Sequence, residues 1–231
     1  MFTGFDWDVI RRTAPFLFKE GMTFTLTLTA LAMTGGIVFG TLLAMMRLSS
    51  FRVPSAVAGT YVNLMRSTPL VLVIFWFYFL VPWLGGWLLR ATRPIQVGAF
   101  LSSLITFMMF EAAYYCEIMR AGIQSIPRGQ AWAGYALGLN YWQTMGTIVL
   151  PQAFRNMLPV LLTQTIILFQ DTSLVYVLSI TDFLGAASKV AQRDARLVEM
   201  YSFVAVVYFL ISFGVSSLVK RLQTRLTVPG R

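Results

Sequence analysis

Residues 128–151 read RGQAWAGYALGLNYWQTMGTIVLP. Of the long stretches away from the chain ends, this is the only one that is neither continuously apolar nor loop-like. Small residues recur on successive turns of the helix that this stretch predicts, at Ala131, Ala133, Gly134, Ala136 and Gly138. A helix with so few large side chains buries little apolar area, so it is a poor core element. Small side chains do allow another backbone to approach closely. We therefore expect a short helix that contacts another protein.

The residues after this helix predict a turn and two anchors. Gly138 is the residue type that ends helices, so we expect the helix to stop there. Tyr141 and Trp142 follow, and large aromatic side chains of this kind fill pockets at protein interfaces. Pro151 is expected to close the segment before the next apolar run.

The spacing resembles the cytoplasmic coupling loop of bacterial ABC importer permeases. That loop has the signature EAA, three residues, Gly, nine residues and I-x-L-P. Here 132–134 stand where EAA is found, Gly138 follows after three residues, and Ile148, Leu150 and Pro151 follow after nine more. Trp132 replaces the glutamate, so a charge contact made by that glutamate is lost, whereas the helix-in-cleft geometry is kept. The resemblance implies these ATPase-coupling residues: Trp132, Ala133, Gly134, Ala136, Leu137, Gly138, Tyr141, Trp142, Ile148, Leu150 and Pro151. The letters EAA at 111–113 lack this downstream spacing.

Composition places the chain in a membrane. Of its 231 residues 57% are hydrophobic and 12% charged, and the mean hydropathy is +0.70. A soluble domain carries roughly a quarter charged residues, and several apolar runs here exceed the roughly 20 residues that cross a bilayer as a helix. We predict an all-α integral membrane protein. The net charge of +9 is explained by arginines at helix ends facing anionic lipid, so no nucleic-acid partner is expected.

Several kinds of chemistry are excluded by what the chain lacks. It has no histidine, and Cys116 is its single cysteine, so we expect no metal site, no histidine-based catalytic site and no intrachain disulfide. None of Lys19, Lys189 and Lys220 lies in a G-x-x-x-x-G-K-[ST] motif, so the chain has no phosphate-binding loop. We expect a transport subunit without cofactors of its own, and any ATP-Mg must be bound by a partner polypeptide.

Five transmembrane helices are predicted, at 22–46, 57–81, 97–118, 157–177 and 201–219. Residues 1–20 mix charged and aromatic side chains, which predicts an interfacial segment broken by Pro15. The membrane domain is expected to occupy 21–220, followed by a tail at 221–231. In the first helix Gly36 and Gly40 form a G-x-x-x-G pair that either lets another helix approach closely or is harmless spacing.

Polar residues within these helices are candidates for a substrate pathway or an intramembrane ion pair: Arg66, Thr68, Glu111, Gln164, Asp171, Thr172 and Ser173. An arginine at membrane depth needs an acid, carbonyls or water, and Asp171 is the strongest candidate partner for Arg66. Pro69 is expected to kink the second helix. Pro159 opens the fourth, and 164–173 interrupt it, which predicts a broken helix of the kind that transporters use to line a cavity.

The two acidic residues of the third predicted helix, Glu111 and Glu117, are expected to have different roles. Glu117 and Arg120 are three residues apart, which predicts a helix-surface ion pair. Glu111 lies deeper and either faces a cavity or partner, or is buried with a hydrogen bond. Because six residues span about 240° of a helix, Glu111 and Glu117 do not face one another.

Nearly the whole chain is similar to permease subunits of the polar amino-acid uptake group of ABC importers, in particular to the subgroup that imports glutamate and aspartate. The similar segments are MRLSSF at 46–51, YVN at 61–63, RSTPLV at 66–71, WFYFLVP at 76–82, FEAAYY at 110–115, EIMRAGIQSI at 117–126, LPQAFR at 150–155, LTQ at 162–164 and FQDTSLVYVLS at 169–179. The resemblance implies the type I importer permease fold with a cytoplasmic coupling helix.

The same resemblance implies partners and a location. A cytoplasmic ABC ATPase dimer, a second and related permease subunit, a periplasmic amino-acid-binding protein and membrane lipid are expected. The chain would span the bacterial inner membrane several times, with its N-terminus periplasmic and its C-terminus cytoplasmic. Basic residues are nearly balanced between the two sides, so this orientation depends on the resemblance.

Three other classes of protein were weighed. A gradient-driven transporter or channel has no need of residues 128–151. An intramembrane enzyme needs a nucleophile with a base, or two facing carboxylates, and neither is found. A membrane anchor does not account for charged residues within the apolar helices. A permease for another polar amino acid stays open.

Overall fold

The computed structural model describes residues 4–91, 93 and 97–226, so the expected N-terminal segment is described from residue 4 and residues 227–231 of the expected tail lie outside it. Every regular element in these residues is helical. The α-helices are α1 Trp7–Phe16, α2 Thr23–Leu48, α3 Arg52–Ser67, α4 Leu70–Phe75, α5 Val81–Leu88, α6 Ala99–Gln124, α7 Arg128–Ala136, α8 Tyr141–Thr144, α9 Leu150–Asp171, α10 Phe183–Asp194 and α11 Leu197–Leu226. Leu17–Met22, Trp76–Leu80 and Met145–Val149 are π-helical, and Thr172–Leu178 is a 3-10 helix.

Five stretches of the described residues are long and apolar enough to cross a membrane, which confirms the predicted number. They are Trp7–Leu48, Leu70–Leu88, Ala99–Gln124, Tyr141–Leu178 and Leu197–Thr224. The predicted second helix at 57–81 is wrong in its bounds. The helix ends at Ser67, Thr68 is extended with φ −105° and ψ 132°, and a new helix begins at Leu70. Pro69 thus separates two helices instead of kinking one, because a residue before proline avoids the α conformation.

Two other prolines do not break their helices. Pro15 lies inside α1, which continues through a π-helical turn into α2, so the predicted break there is wrong. Pro151 is the second residue of α9, a first-turn position at which proline is tolerated, and it continues a helical stretch instead of closing one. A π-helical turn follows Pro15, and another precedes Pro151. We attribute the continuity of both helical stretches to these turns, because π-helical turns redistribute backbone hydrogen bonds. The domain boundary expected at residue 20 falls within the first of these continuous stretches and stays a prediction.

The fourth membrane-spanning stretch is continuous where a broken helix was expected. Pro159 lies within α9, and the hydroxyl of Thr163 donates a hydrogen bond of 2.9 Å to its carbonyl oxygen. The α-helix runs to Asp171 and then tightens to a 3-10 helix. The polar side chains in this stretch therefore do not interrupt the helix, because a hydroxyl group such as that of Thr163 bonds to a backbone carbonyl within it.

The chain forms two compact units. The first comprises Met1–Thr34, Pro69–Met108 and Ile166–Val215, and the second comprises Gly35–Thr68, Met109–Thr165 and Ser216–Arg231. The core of the first unit includes Val9, Leu17, Met22, Phe169, Phe183, Ala186, Ala187, Val190, Ala191, Met200 and Val204.

In the first unit the buried carboxylate of Asp182 caps α10 by accepting hydrogen bonds from the N–H groups of Leu184 and Gly185, both at 3.0 Å. Burial raises the pKa of Asp182 to about 7, although both N–H groups oppose that shift.

In the second unit the two glycines of α2 allow α6 to approach closely. A β-carbon on Gly36 would lie 3.1 Å from the Glu111 Cβ and from the Tyr115 ring. One on Gly40 would lie 2.8 Å from the Tyr115 Cβ and 3.0 Å from the carbonyl oxygen of Ala112. Of the two interpretations of this G-x-x-x-G pair, the structure confirms close helix packing.

We expect Gly40→Ala to destabilise the folded chain by about 1–3 kcal/mol, because the added carbon meets the rigid Cβ of Tyr115 and a backbone oxygen. The midpoint of thermal unfolding in detergent measures this. Gly59→Ala is the matched control: its β-carbon would meet only the Arg47 Nε, at 4.0 Å. In a helix that exchange is neutral or stabilises by about 0.5–1 kcal/mol. Equal midpoints for the two variants would contradict the packing interpretation.

Candidate functional site

Residues 128–151 fold as a short helix, a tight turn and the start of a long helical stretch. Helix α7 ends at Ala136, and Gly138 has the positive φ of +78°. The N–H of Gly138 donates to the carbonyl oxygen of Tyr135 at 3.0 Å. The N–H of Leu139 donates to the carbonyl oxygen of Gly134 at 3.1 Å. These two bonds form a Schellman motif, so the helix stop expected at Gly138 is confirmed.

A capping box starts the helix that follows the turn. The side-chain oxygen of Asn140 accepts the N–H of Gln143, and the Gln143 side chain accepts the N–H of Asn140, both at 2.9 Å. Two N–H groups at the beginning of α8 are satisfied in this way. The direction in which the chain leaves the turn is therefore set by Gly138 on one side and by Asn140 on the other.

Gly134 serves a contact within the chain. It is buried, and a β-carbon there would lie 2.9 Å from the Ile148 Cδ1 and 3.0 Å from the Thr144 side chain. The sequence interpretation assigned all the small residues to an external partner. At this position the small side chain instead lets α7 pack against the helical stretch that follows it, which explains why Ile148 is half-buried.

Several large side chains of this segment are exposed, whereas Val149 is buried. The exposed fractions are 66% for Trp132, 80% for Leu137 and 81% for Trp142. Tyr141 is 55% exposed, and its ring centroid lies 5.3 Å from that of Trp142 at an interplanar angle of 79°. Ala133, Ala136, Gly138, Leu150 and Pro151 are exposed as well. Exposed apolar side chains concentrated in this way are typical of a protein-interaction surface.

Glu111 and Gln164 form a buried polar pair in the second unit. Glu111 is fully buried, and the Gln164 Nε2 lies 3.1 Å and 3.3 Å from its two carboxylate oxygens. Of the alternatives for Glu111, the structure shows burial with a hydrogen bond. One residue further along α9, Thr165 lies 3.3 Å from the hydroxyl of Tyr115. Two neighbouring side chains of α9 thus meet polar groups of α6.

Arg66 takes a partner other than the expected one. Its Nη1 lies 3.7 Å from the Glu117 Oε2, and its guanidinium stands 5.5 Å from the ring centroid of Tyr114. The expected pair with Asp171 is not among the ion pairs of the described residues. Arg66 and Asp171 belong to different compact units, and Arg66 finds its carboxylate within its own.

Glu117 is shared by three arginines, which we call the guanidinium cluster: Arg47, Arg66 and Arg120. The expected pair with Arg120 is confirmed, with the Arg120 Nη2 2.8 Å from Oε2. The Arg47 Nη1 contacts Oε1. Sequence reasoning missed Arg47, whose separation from Glu117 is 70 residues. The available signal was its place in the last turn of a helix, where basic side chains are favoured.

The other candidate pathway residues lie at helix ends. Thr68 sits in the break between α3 and α4 and donates its hydroxyl to the carbonyl oxygen of Leu64 at 2.9 Å. Thr172 is buried, and its hydroxyl donates a hydrogen bond of 2.7 Å to the carbonyl oxygen of Phe169. Asp171 and Ser173 beside it are partly buried. Among the residues that the structure describes, no three His, Cys, Asp or Glu side chains form a group able to hold a metal ion.

Two curated relatives resemble the chain over almost its full length. The glutamate/aspartate import permease protein GltK of Escherichia coli O6:H1 is 52% identical over 223 residues, which cover 96% of this chain and 98% of that protein. The glutamine transport system permease protein GlnP of Escherichia coli K12 is 33% identical, with 97% and 99% covered. Both are permease proteins, as the spacing of residues 128–151 had predicted.

Solved structures and a family model agree with these relatives. A crystal structure of an amino acid ABC transporter with histidines has a chain that matches with a TM-score of 0.85 and 28% identity, covering 95% of this chain and 98% of that one. An inward-facing MetNI methionine ABC transporter matches with a TM-score of 0.71 at 17% identity, a likeness of fold. The predicted type I permease fold is therefore confirmed. Residues 36–228 match the model of one family. The chain belongs to the family of binding-protein-dependent transport system inner membrane components.

Proposed function

We propose that this chain is the transmembrane permease subunit of an ATP-driven importer of glutamate and aspartate. The observation that carries the proposal is the identity of 52% over nearly the full length of both chains to a glutamate/aspartate import permease, compared with 33% to a glutamine permease. The five membrane-spanning stretches supply the route through the bilayer. Transport, and not chemistry on the substrate, is the activity.

The motor of the importer is a separate ATPase dimer in the cytoplasm. The sequence carries no phosphate-binding loop, so the partner binds ATP-Mg and hydrolyses ATP. The coupling surface is the exposed part of 128–151. Trp132, Leu137 and Trp142 supply large anchors, and the exposed alanines between them allow close approach of the ATPase cleft.

Movement of this surface drives alternating access. ATP binding closes the ATPase dimer, and the closure moves α7 and the turn at Gly138 as one piece, because the Schellman motif and the packed Gly134 hold them together. The pathway then opens to the periplasm, where the docked binding protein releases its amino acid, and hydrolysis resets it. A second, related permease subunit completes the pathway.

The proposed substrate pathway uses the polar residues of the membrane-spanning stretches. Supporting this are the buried pair of Glu111 and Gln164 and the half-exposed guanidinium of Arg66, which supplies positive potential for an anionic amino acid. Thr68, Asp171, Thr172 and Ser173 add hydrogen-bonding groups at helix ends. Polar groups at such positions are where transporters recognise substrate.

The proposed location is the bacterial inner membrane, with a periplasmic N-terminus and a cytoplasmic C-terminus. Cys116 is buried, so a cysteine introduced at Trp142 becomes the reactive thiol of the chain. A membrane-impermeant maleimide should label Trp142→Cys in inverted vesicles and not in spheroplasts. Labelling from the periplasmic side alone would reject the proposed coupling surface.

Reconstitution tests the substrate and the energy source together. The chain, the second permease and the ATPase are placed in liposomes, and a binding protein loaded with glutamate, aspartate or glutamine is added. We expect ATP turnover and uptake to rise with glutamate and aspartate. Stimulation by glutamine alone would favour a permease for another polar amino acid. Uptake that needs no ATPase and follows an ion gradient would favour a secondary transporter.

A further inference from the structure

Asp182 is a buried acidic residue without a cationic partner. It is 0% exposed, and it forms no ion pair with the residues that the structure describes. Its two carboxylate oxygens accept hydrogen bonds of 3.0 Å from the N–H groups of Leu184 and Gly185. These bonds and the positive end of the α10 dipole favour the charged form. Burial without a counter-charge favours the protonated form.

The charged groups of α10 do not supply the missing counter-charge. Lys189 is exposed, and its ammonium group contacts the hydroxyl of Thr181. It therefore acts on Asp182 only as a more distant charge, and its effect on the pKa of Asp182 is smaller than that of burial. At the opposite end of the helix the charged groups pair with one another: Arg12, Arg193 and Asp194.

The other elements that pack against α10 do not supply it either. Tyr208 of α11 interacts electrostatically with Asp182, but a tyrosine is never positively charged. The hydroxyl of Tyr201, also in α11, lies 3.2 Å from the Ser188 Oγ. The titratable side chains of the π-helical turn Leu17–Met22 and of the 3-10 helix are exposed: Lys19, Glu20 and Tyr176. Ionisation of Asp182 therefore leaves a buried charge without a cation beside it.

Asp182 lies where the first turn of α10 packs against the turn Leu17–Met22. A β-carbon on Gly21 would lie 2.9 Å from the carbonyl oxygen of Asp182 and 2.9 Å from the Phe183 Cα. The hydroxyl oxygen of Thr25 accepts the N–H of Phe183 at 3.0 Å. A charge on the Asp182 side chain therefore bears directly on the contact between these two elements.

We propose that this contact is pH-sensitive: the first turn of α10 packs firmly against Leu17–Met22 while Asp182 is protonated, and the contact weakens as Asp182 ionises. Burial raises the pKa of Asp182 from 3.8 to about 7. The packed helix then holds the proton more tightly than the opened one, so the contact loses stability as the pH rises from 3.8 towards 7. The chain has no histidine, the side chain that ordinarily titrates near neutral pH.

Hydrogen–deuterium exchange of the purified complex tests this proposal. The chain and the subunits that copurify with it are measured in detergent from pH 5 to pH 8, and the rates are corrected for the intrinsic pH dependence of exchange. We expect the protection of amides 183–187 to fall about tenfold between pH 6 and pH 8, because opening releases the proton of Asp182. Asp182→Asn keeps a capping oxygen but does not titrate, and it should show no such fall.

Asp6→Asn is the matched control, because Asp6 also caps a helix of the first unit but its side chain is 30% exposed. It should leave the fall at 183–187 unchanged. Equal wild-type protection at pH 6 and pH 8, or the same fall in Asp182→Asn, would overturn the proposal. Should Asp182→Asn fail to assemble, Lys189→Gln decides. It removes a positive charge that lowers the pKa of Asp182, so the midpoint of the fall must move to higher pH, and an unmoved midpoint excludes Asp182. These outcomes depend on neither substrate nor membrane orientation.

Discussion

Replacing Glu117 by glutamine is expected to reduce the amount of assembled permease several-fold. The substitution leaves three guanidinium groups with no carboxylate between them, and removing one partner of a buried ion pair costs about 3–5 kcal/mol. Partial exposure of the arginines lowers that cost to roughly 2–3 kcal/mol, and losses of about this size change cellular abundance several-fold. Membrane content by immunoblotting and the unfolding midpoint of the purified chain measure the effect.

Asp171→Asn is the control that separates the two candidate partners of Arg66. Both variants exchange one carboxylate for an amide in a membrane-spanning stretch. Glu117 receives three arginines, whereas no ion pair of Asp171 is found in the described part of the chain. We expect Asp171→Asn to accumulate at near wild-type levels. Equal losses in the two variants would mean that the guanidinium cluster is not what holds α2, α3 and α6 together.

Replacing Gly138 by valine is expected to lower uptake about tenfold while the permease stays in the membrane. The β-carbon has free space, with nothing within 4 Å, so the obstacle is the φ of +78°. A non-glycine residue in this conformation costs about 1–2 kcal/mol, and a β-branched one is the least suited. About 1.4 kcal/mol corresponds to a tenfold change in population. The turn would then leave the geometry on which the proposed coupling surface at Leu137 and Trp142 depends.

Gly129→Val is the matched control for this prediction. Gly129 lies in α7, in the same segment, and nothing lies within 4 Å of its β-carbon either, but its φ is not positive. We expect it to retain most uptake. Gly138→Asn should fall between the two, because asparagine tolerates the left-handed conformation. ATPase stimulation by the loaded binding protein and membrane content are measured for each variant. Loss of Gly138→Val from the membrane would indicate misfolding, and wild-type uptake would contradict the coupling proposal.

Much of the fold was predictable because it depends on local sequence. Five long apolar stretches require five helices, since backbone polar groups in lipid must be satisfied within the segment. The stop at Gly138 and the pair of Glu117 with Arg120 also involve residues a few positions apart. Prolines were predicted less well. Pro69 separates two helices, whereas Pro15 and Pro159 lie within continuous helical stretches, and a π-helical turn follows Pro15.

The candidate site was predictable in its position along the chain and less so in its contacts. Spacing alone singled out Trp132 and Trp142, and the structure shows that both side chains are exposed. It did not show that Gly134 faces Ile148, because that contact depends on how sharply the chain turns between them. Asp171 was also predicted as the ion-pair partner of Arg66, because both are charged residues in apolar surroundings. The sequence does not give the distance between two residues that are far apart along the chain.

What the sequence by itself determined is the class of protein: a helical membrane permease with a small-residue helix and a glycine turn between its third and fourth membrane-spanning stretches. Composition and short-range spacing suffice for this, because helix formation and helix capping act over a few residues. Only the tertiary structure decided that Arg47 and Arg66 meet at Glu117. Ion-pair partners distant in sequence are chosen by helix packing, and packing is a property of the folded chain as a whole.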